Sequence, residues 1–290
     1  MVRPTDATAR YEPAGADGSG AGRPVLAGGV AIGSDAFTLI ARSPAGGAGG
    51  RLEEAAVLAL QARAGLLDVG RAWETLGLEA VAACQRAGGL PAVCAVAGPG
   101  EVTAVAEVAA MLRVPASSLR AGGPLARSLG RAGRPVLLER DPAGGVAAWL
   151  RAAEGIAREG NDQVVLCAPG GGRAAGPGLD LAAVPSLRAA SGLPLVVDAS
   201  GMERGHRDAA ALARAAAAVC ADGVVVGIDP RPDAAGGRPA GMAADELDGL
   251  ASELEAVTAA VGRRMAGRRI RYVGGARRDA AGPARRWRRT

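Results

Sequence analysis

The sequence contains no lysine. All 34 basic residues are arginine, and His206 is the one histidine. Schiff-base aldolases, pyridoxal-phosphate enzymes and P-loop nucleotidases each need an ε-amine, so these three classes are excluded. A metal site built from several histidines is excluded as well.

Aromatic residues are also scarce, and the cysteines follow no known binding motif. One Phe, two Tyr and three Trp offer few platforms on which bases could stack, so no nucleic-acid partner is expected. The four cysteines show neither a CxxC pair nor metal-ligand spacing, which indicates buried free thiols in a reducing compartment. No run reaches 18 apolar residues, so we expect no membrane partner and a cytoplasmic location.

Positive charge is concentrated at the C-terminal end of the chain. Residues 263–290 contain 11 Arg and one Asp, a net charge of +10, so residues 1–262 carry −5 of the total of +5. This pattern predicts a disordered Arg-rich tail, with binding to RNA, a membrane or an acidic protein as the alternative. Residues 1–22, rich in Gly, Ala, Pro and Asp, predict a disordered N-terminal arm.

Deletion of the chain after about Gly267 is expected to leave the melting temperature nearly unchanged. The deleted segment has no apolar face and carries mostly like charge. Calorimetry of the full-length and shortened proteins at equal ionic strength measures the effect. A loss of more than a few degrees would show that the tail docks on the rest of the protein.

Between these two ends, over residues 23–262, short apolar runs alternate with segments of helical periodicity. The runs at 135–140, 163–168, 194–200 and 223–228 are aliphatic and unalternating, as in strands buried on both faces. Helices are expected at 146–158, 182–190, 207–221 and 245–265.

The first half of this region gives weaker signals. Strands are predicted at 24–32, 56–62, 91–97 and 116–121. The segment after Asp35 is predicted to be weakly helical, and further helices are expected at 73–87, 101–112 and 124–132. Eight βα units predict an α/β fold, a single (β/α)8 TIM barrel, with an open doubly wound sheet as the alternative.

The site of such a barrel lies at the C-terminal ends of its strands. Acidic and basic residues dominate there, which predicts a polar anionic metabolite as the ligand. The acid–base candidates are Glu139, Asp198 and His206, and the candidates for substrate binding are Arg140, Arg173, Arg207, Arg120 and Ser200. The alternatives are that several of these side chains only pair with one another, that His206 only begins a helix, and that the glycine loop carrying Arg173 is a flexible turn rather than a phosphate cradle.

The order of several motifs over residues 134–262 resembles the type I 3-deoxy-7-phosphoheptulonate (DAHP) synthases. The motifs are Arg-Pro-Val-Leu-Leu-Glu-Arg from 134, Val-Val-Leu-Cys-Ala-Pro-Gly from 164, Leu-Asp-Leu-Ala-Ala-Val-Pro from 179 and Leu-Pro-Leu-Val-Val-Asp-Ala-Ser from 193. The resemblance implies a TIM barrel that condenses phosphoenolpyruvate with erythrose 4-phosphate, using a divalent metal.

The metal ligands that the resemblance implies are missing. The family's Cys after the first strand aligns with Val30, and its Asp-Pro-Ser-His corresponds to Asp198-Ala-Ser-Gly201. The Glu of the eighth-strand motif falls at Gly227, and the last metal-binding Asp falls near Gly236. No metal and no other cofactor is therefore expected.

The phosphoenolpyruvate motifs are altered as well. The family's Lys-Arg becomes Glu139-Arg140, and its Cys-Glu-Arg-Gly becomes Cys167-Ala-Pro-Gly170. Its Lys-Pro-Arg motif finds no counterpart around Ala64-Gly-Leu66. A carboxylate where the family has a cation repels an anionic substrate.

Three functions remain open on the sequence. The barrel is either a repurposed, metal-independent enzyme of specialised metabolism, a non-catalytic paralogue that binds a shikimate-pathway enzyme, or a degenerate but active DAHP synthase. A homo-oligomer is a further possible assembly. A preserved Arg-lined cavity favours the first function, and an apolar outer face favours the second.

Overall fold

The computed structural model describes residues 23–44, 49–141, 144–170, 180–201, 206–232 and 241–266. The predicted N-terminal arm, the tail after residue 266, Arg173 and Gly236 lie outside the described residues. In the described part of the chain, no helix is long and apolar enough to cross a membrane.

The described chain alternates strands and helices. The strands are β1 (Val25–Ala27), β2 (Val30–Ile32), β3 (Ala36–Arg42), β4 (Leu66–Gly70), β5 (Ala92–Ala95), β6 (Met111–Pro115), β7 (Val136–Glu139), β8 (Val164–Pro169), β9 (Leu195–Asp198), β10 (Gly223–Gly227) and β11 (Arg264–Ala266). The helices are α1 (Gly49–Gln61), α2 (Ala72–Leu76), α3 (Leu78–Gly88), α4 (Pro99–Val108), α5 (Pro124–Arg131), α6 (Val146–Arg158), α7 (Val184–Ser191), α8 (His206–Ala218) and α9 (Ala244–Ala260).

Strands β3 to β10 form a closed parallel barrel. Each strand pairs with the next in order, and β10 returns to pair with β3 from Gly223↔Thr38 to Gly227↔Arg42. The helices between the strands cover the outside of the barrel, and the large apolar core lies between these two layers. The predicted TIM barrel is confirmed, and the open doubly wound sheet is wrong because the two edge strands pair.

A short hairpin closes the N-terminal end of the barrel. Strands β1 and β2 pair in antiparallel fashion across Gly28 and Gly29, whose φ angles of 55° and 86° lie in the left-handed region. A Cβ at Gly28 would lie 2.4 Å from Pro91, so a larger residue does not fit there. The buried side chains of the hairpin pack against the interior of the barrel, in a cluster that includes Ile40 and Leu66.

The predicted first two barrel strands are therefore wrong. Residues 24–32 form the hairpin, and the first barrel strand is β3, in a segment expected to be weakly helical. Residues 56–62 lie largely in α1, whose buried residues Leu52, Ala55, Ala56 and Ala59 follow the spacing of a helical face. The second barrel strand is β4. Short apolar runs of this kind do not distinguish strand from helix on their own.

The predicted fourth strand is also displaced. Helix α4 ends at Val108, where the helix was expected to continue to residue 112, and Ala109 is extended with φ −67° and ψ 140°. Strand β6 therefore occupies residues 111–115, before the predicted 116–121. The later strands hold: β7 to β10 fall at the four predicted runs to within two residues, and α6 spans 146–158 as expected. The helix predicted at 245–265 is too long, because α9 ends at Ala260 and residues 264–266 form β11.

A buried ion cluster ties the barrel together at its N-terminal end. Asp222, fully buried before β10, accepts hydrogen bonds from Arg188 Nε at 2.7 Å, Arg188 Nη2 at 2.8 Å, Arg263 Nη2 at 2.7 Å and the Leu195 N–H at 2.8 Å. Arg263 also donates to the carbonyl oxygens of Ser34 and Ala36. Arg263 is the first residue of the predicted tail, so the tail begins within the packed barrel.

Candidate active site

Charged side chains from five strands converge at the C-terminal end of the barrel. They come from the ends of β3, β7 and β9 and from within β4 and β6. We call them the mouth cluster; its members are Arg42, Asp68, Arg113, Glu139 and Asp198.

Arg42 lies at the centre of the mouth cluster. Its Nε donates to Asp68 Oδ2 at 2.7 Å, and its Nη1 donates to Asp198 Oδ2 at 2.7 Å and to Ser200 Oγ at 2.6 Å. Its Nη2 lies 3.6 Å from Oε1 of Glu139, on the strand opposite β3. Burial alone would lower the pKa of Arg42, but the charges of Asp198 and Asp68 raise it above the ordinary value, so the guanidinium stays charged.

Two of the carboxylates are held in fixed orientations. Asp68, whose side chain is fully buried, accepts from the Gly70 N–H through Oδ1 at 2.9 Å. Asp198 Oδ1 accepts from the Ser200 N–H at 2.9 Å and from Ser200 Oγ at 2.6 Å. Each carboxylate therefore turns its Oδ2 atom towards Arg42.

Arg113 joins the remaining members of the cluster. Its Nη1 donates to Glu139 Oε1 at 2.9 Å, and its Nε lies 3.5 Å from Asp68 Oδ2. The Glu139 side chain is 28% exposed, the largest exposed fraction in the cluster. Glu139 is therefore the carboxylate most accessible to a ligand.

A protonated thiol lies under the cluster. Cys167 in β8 is fully buried, and burial, followed by the charges of Asp198 and Glu139, raises the pKa of its thiol well above the ordinary value. A thiol that stays protonated at neutral pH is a poor nucleophile. Acyl or phosphoryl transfer through a cysteine at this site is therefore not supported.

The structure brings some of the predicted site residues together and separates others. Glu139, Asp198 and Ser200 meet around Arg42, while the N–H of Arg140 donates to the Cys167 carbonyl oxygen at 2.8 Å. Arg120 and Arg207 are exposed, and His206 begins α8 with its side chain outside the described part of the structure. Arg173 lies outside the described residues. The catalytic and binding roles of these residues remain predictions.

Arg42, Asp68 and Arg113 are not among the site residues predicted from the sequence, because the first, second and fourth barrel strands lie elsewhere than predicted. The sequence does contain a signal for two of them, because Arg42 and Asp68 each follow an apolar run. Asp198 and Glu139 follow such runs in the same way, after Leu-Val-Val and Val-Leu-Leu. A charged residue at the end of an unalternating aliphatic run was the shared pattern.

The residues present do not fit the metal that the family resemblance implies. The first barrel strand ends at Arg42, so the alignment of the ligand Cys with Val30 is wrong, and residues 43–48 contain no Cys either. The second barrel strand is β4, and neither its end, Asp68-Val-Gly70, nor the following Arg71-Ala72 reads Lys-Pro-Arg. Among the described residues, no group of three or more His, Cys, Asp or Glu could hold a metal ion.

The fold and the charged mouth define a (β/α)8-barrel protein with its candidate site at the C-terminal ends of the strands. The profile of the DAHP synthetase I family matches residues 65–261, and the chain belongs to this family.

One sequence relative and two solved structures from Thermotoga maritima show how far the similarity extends. The phospho-2-dehydro-3-deoxyheptonate aldolase is 35% identical over 151 residues, which are 51% of this chain and 44% of that relative. A truncated form of 3-deoxy-D-arabino-heptulosonate 7-phosphate synthase superposes with a TM-score of 0.76 at 28% identity, covering 84% of this chain and 95% of that one. A crystal structure of the DAHP synthase gives 0.75 at 28% identity, covering 84% of this chain and 75% of that one.

Proposed function

We propose that this family member acts on a small polar anionic metabolite without a metal, having lost metal-dependent DAHP synthesis. The observation that carries the proposal is the position of Arg42, whose guanidinium bridges Asp68 and Asp198 at 2.7 Å each in the centre of the mouth. A cation fixed by the chain therefore supplies positive charge at the mouth without a bound metal ion.

Unused hydrogen-bond donors in the mouth support an anionic ligand. Arg42 Nη2, Arg113 Nε and Arg140 Nε are buried without a hydrogen-bond partner in the described part of the protein. Buried N–H groups without acceptors are costly, and ligand oxygens would satisfy them. Arginine also suits carboxylate recognition, because its planar donors match the two carboxylate oxygens.

The charge balance favours a ligand of low charge. The mouth cluster has two guanidiniums and three carboxylates, a net charge of −1. In this proposal the guanidinium of Arg140, which follows β7, faces the mouth as a third cation and brings the site close to neutral. A phosphate dianion would bring two negative charges into a site that has no net positive charge to attract them, whereas a monocarboxylate brings only one. Small carboxylic acids are therefore the preferred substrate class.

Glu139 is the acid–base group in this proposal. It is the most exposed carboxylate of the mouth cluster and is held by Arg113. Asp198 is engaged by Arg42 and Ser200 through both oxygens, so its role is to position Arg42.

A thermal-shift screen tests the proposal. Among pyruvate, phosphoenolpyruvate, erythrose 4-phosphate, citrate and inorganic phosphate, we expect a carboxylate to raise the melting temperature. A ligand concentration of about 100 times Kd raises the free energy of unfolding by roughly 2.7 kcal/mol, which raises the melting temperature by about 5–10 °C for a domain of this size. The shift should disappear in Arg140→Ala and persist in Arg158→Ala, which removes an exposed arginine on α6.

The screen also separates the alternatives. An undiminished shift in Arg140→Ala would place the ligand elsewhere and contradict the proposal. If no compound shifts the wild type while an active shikimate-pathway enzyme is recovered by pull-down, the chain is a non-catalytic paralogue. Leu26 on β1 and Val57 on α1, the exposed large hydrophobic residues of the described chain, lie on separate elements, which does not favour an apolar docking face.

A further inference from the structure

The Glu139 carboxylate is held differently from the two aspartates of the mouth cluster. Each aspartate accepts a hydrogen bond from a backbone N–H group at 2.9 Å. Within the described part of the chain, the Glu139 carboxylate contacts guanidinium groups instead: Arg113 Nη1 at 2.9 Å and Arg42 Nη2 at 3.6 Å. Its side chain is also the most exposed of the cluster. Glu139 is therefore the one carboxylate of the cluster that can move away without losing a backbone contact.

The two guanidiniums that face Glu139 come from different sides of the barrel. Arg113 lies in β6, which is next to β7, and Arg42 ends β3, which is opposite β7. Both direct a nitrogen at the same atom, Glu139 Oε1. Arg113 Nε and Arg42 Nη2 are buried and make no hydrogen bond to the described residues. The two guanidiniums therefore keep donors that a carboxylate placing both its oxygens between them would satisfy.

We propose that Arg42 and Arg113 form an anion-binding position, which we call the anion seat, and that Glu139 fills it as an internal ligand until a substrate carboxylate displaces it. This inference deepens the proposed function and rests on it for the identity of the substrate. Exchange of one carboxylate for another leaves the charge in the seat unchanged, whereas a dianion adds a charge. The displaced Glu139 then lies beside the bound ligand, where an acid–base group is needed.

Formate, the smallest carboxylate, tests the anion seat. In Glu139→Ala the seat loses its occupant, so formate is expected to bind at least about tenfold more tightly than to the wild type. The measurement is the rise in melting temperature in sodium formate relative to sodium chloride at equal concentration.

Two matched controls accompany this variant. Glu139→Gln keeps the shape of the side chain and an oxygen that accepts from Arg113, so formate should bind it no better than the wild type. Glu154→Ala removes a carboxylate that pairs with Arg158 on the outer helix α6, so its melting temperature should be the same in both salts.

The double variant Glu139→Ala/Arg113→Ala should lose the gain in formate binding. A gain that persists there would place formate outside the anion seat. Equal stabilisation of the wild type and Glu139→Ala would show that Glu139 does not occupy the seat, and no stabilisation of Glu139→Ala would show that the two guanidiniums bind no carboxylate.

Glu139→Ser serves if the alanine variant is insoluble. Failure of both variants to fold in formate would contradict the proposal, because formate would not replace the missing carboxylate. No metabolite is added, so a metabolite screen without a ligand leaves a positive formate result unchanged. A positive screen without formate binding would instead place the metabolite elsewhere in the mouth.

Discussion

Asp222→Ala is expected to lower the free energy of unfolding by roughly 3–5 kcal/mol, the usual cost of removing one partner from a buried ion pair. Asp222 is fully buried and accepts four hydrogen bonds, three of them from Arg188 and Arg263. Its removal leaves two guanidiniums facing each other without a counter-charge.

Urea unfolding followed by circular dichroism measures this loss. For a protein of this size the corresponding fall in melting temperature is about 10 °C. Asp162→Ala is the control, because the Asp162 side chain is 74% exposed and its contact with Arg23 is long, at 3.8 Å; its melting temperature should stay close to that of the wild type. A loss of less than about 1 kcal/mol in Asp222→Ala would show that water replaces the carboxylate.

The wild-type protein is expected to form no DAHP from phosphoenolpyruvate and erythrose 4-phosphate, with or without added Mn²⁺. Glu139 presents a carboxylate where the family has a lysine, and Arg42 sits among the carboxylates of the mouth. Loss of the substrate-binding cation and loss of the polarising metal each lower the rate by roughly 10²–10³. Because the two losses are independent, we expect a rate at least about 10⁴-fold below that of an active synthase.

Glu139→Lys alone is expected to restore nothing. Arg113 Nη1 and Arg42 Nη2 both face the Glu139 carboxylate, so a lysine there would meet two guanidiniums and lose a counter-charge. Product is measured by mass spectrometry, with the Thermotoga maritima synthase as the positive control. Product from the wild type that increases with added metal would instead identify a degenerate but active synthase. Product from Glu139→Lys alone would show that the substitution at position 139 accounts for the whole loss of DAHP synthesis.

The sequence by itself determined the class of fold. In the second half of the chain, unalternating aliphatic runs separated by helical segments predicted β7 to β10 and α6 closely, because both periodicities are strong there. The motif order also predicted the family that matches residues 65–261. Glu139, Asp198 and Ser200 could be chosen as mouth residues because they follow these clear strands.

Only the tertiary structure decided which early apolar runs enter the barrel. Two early segments, 36–42 and 56–62, are both short and apolar, so the sequence does not show which is a strand. In the structure the first pairs with β4 and β10 as β3, whereas the second lies largely in α1, which packs its buried face onto the barrel. The centre of the site follows from that choice. Arg42 lies 26 residues from Asp68 and 156 from Asp198 in the sequence, and their side chains meet because closure of a parallel barrel brings the C-terminal ends of all its strands to one mouth.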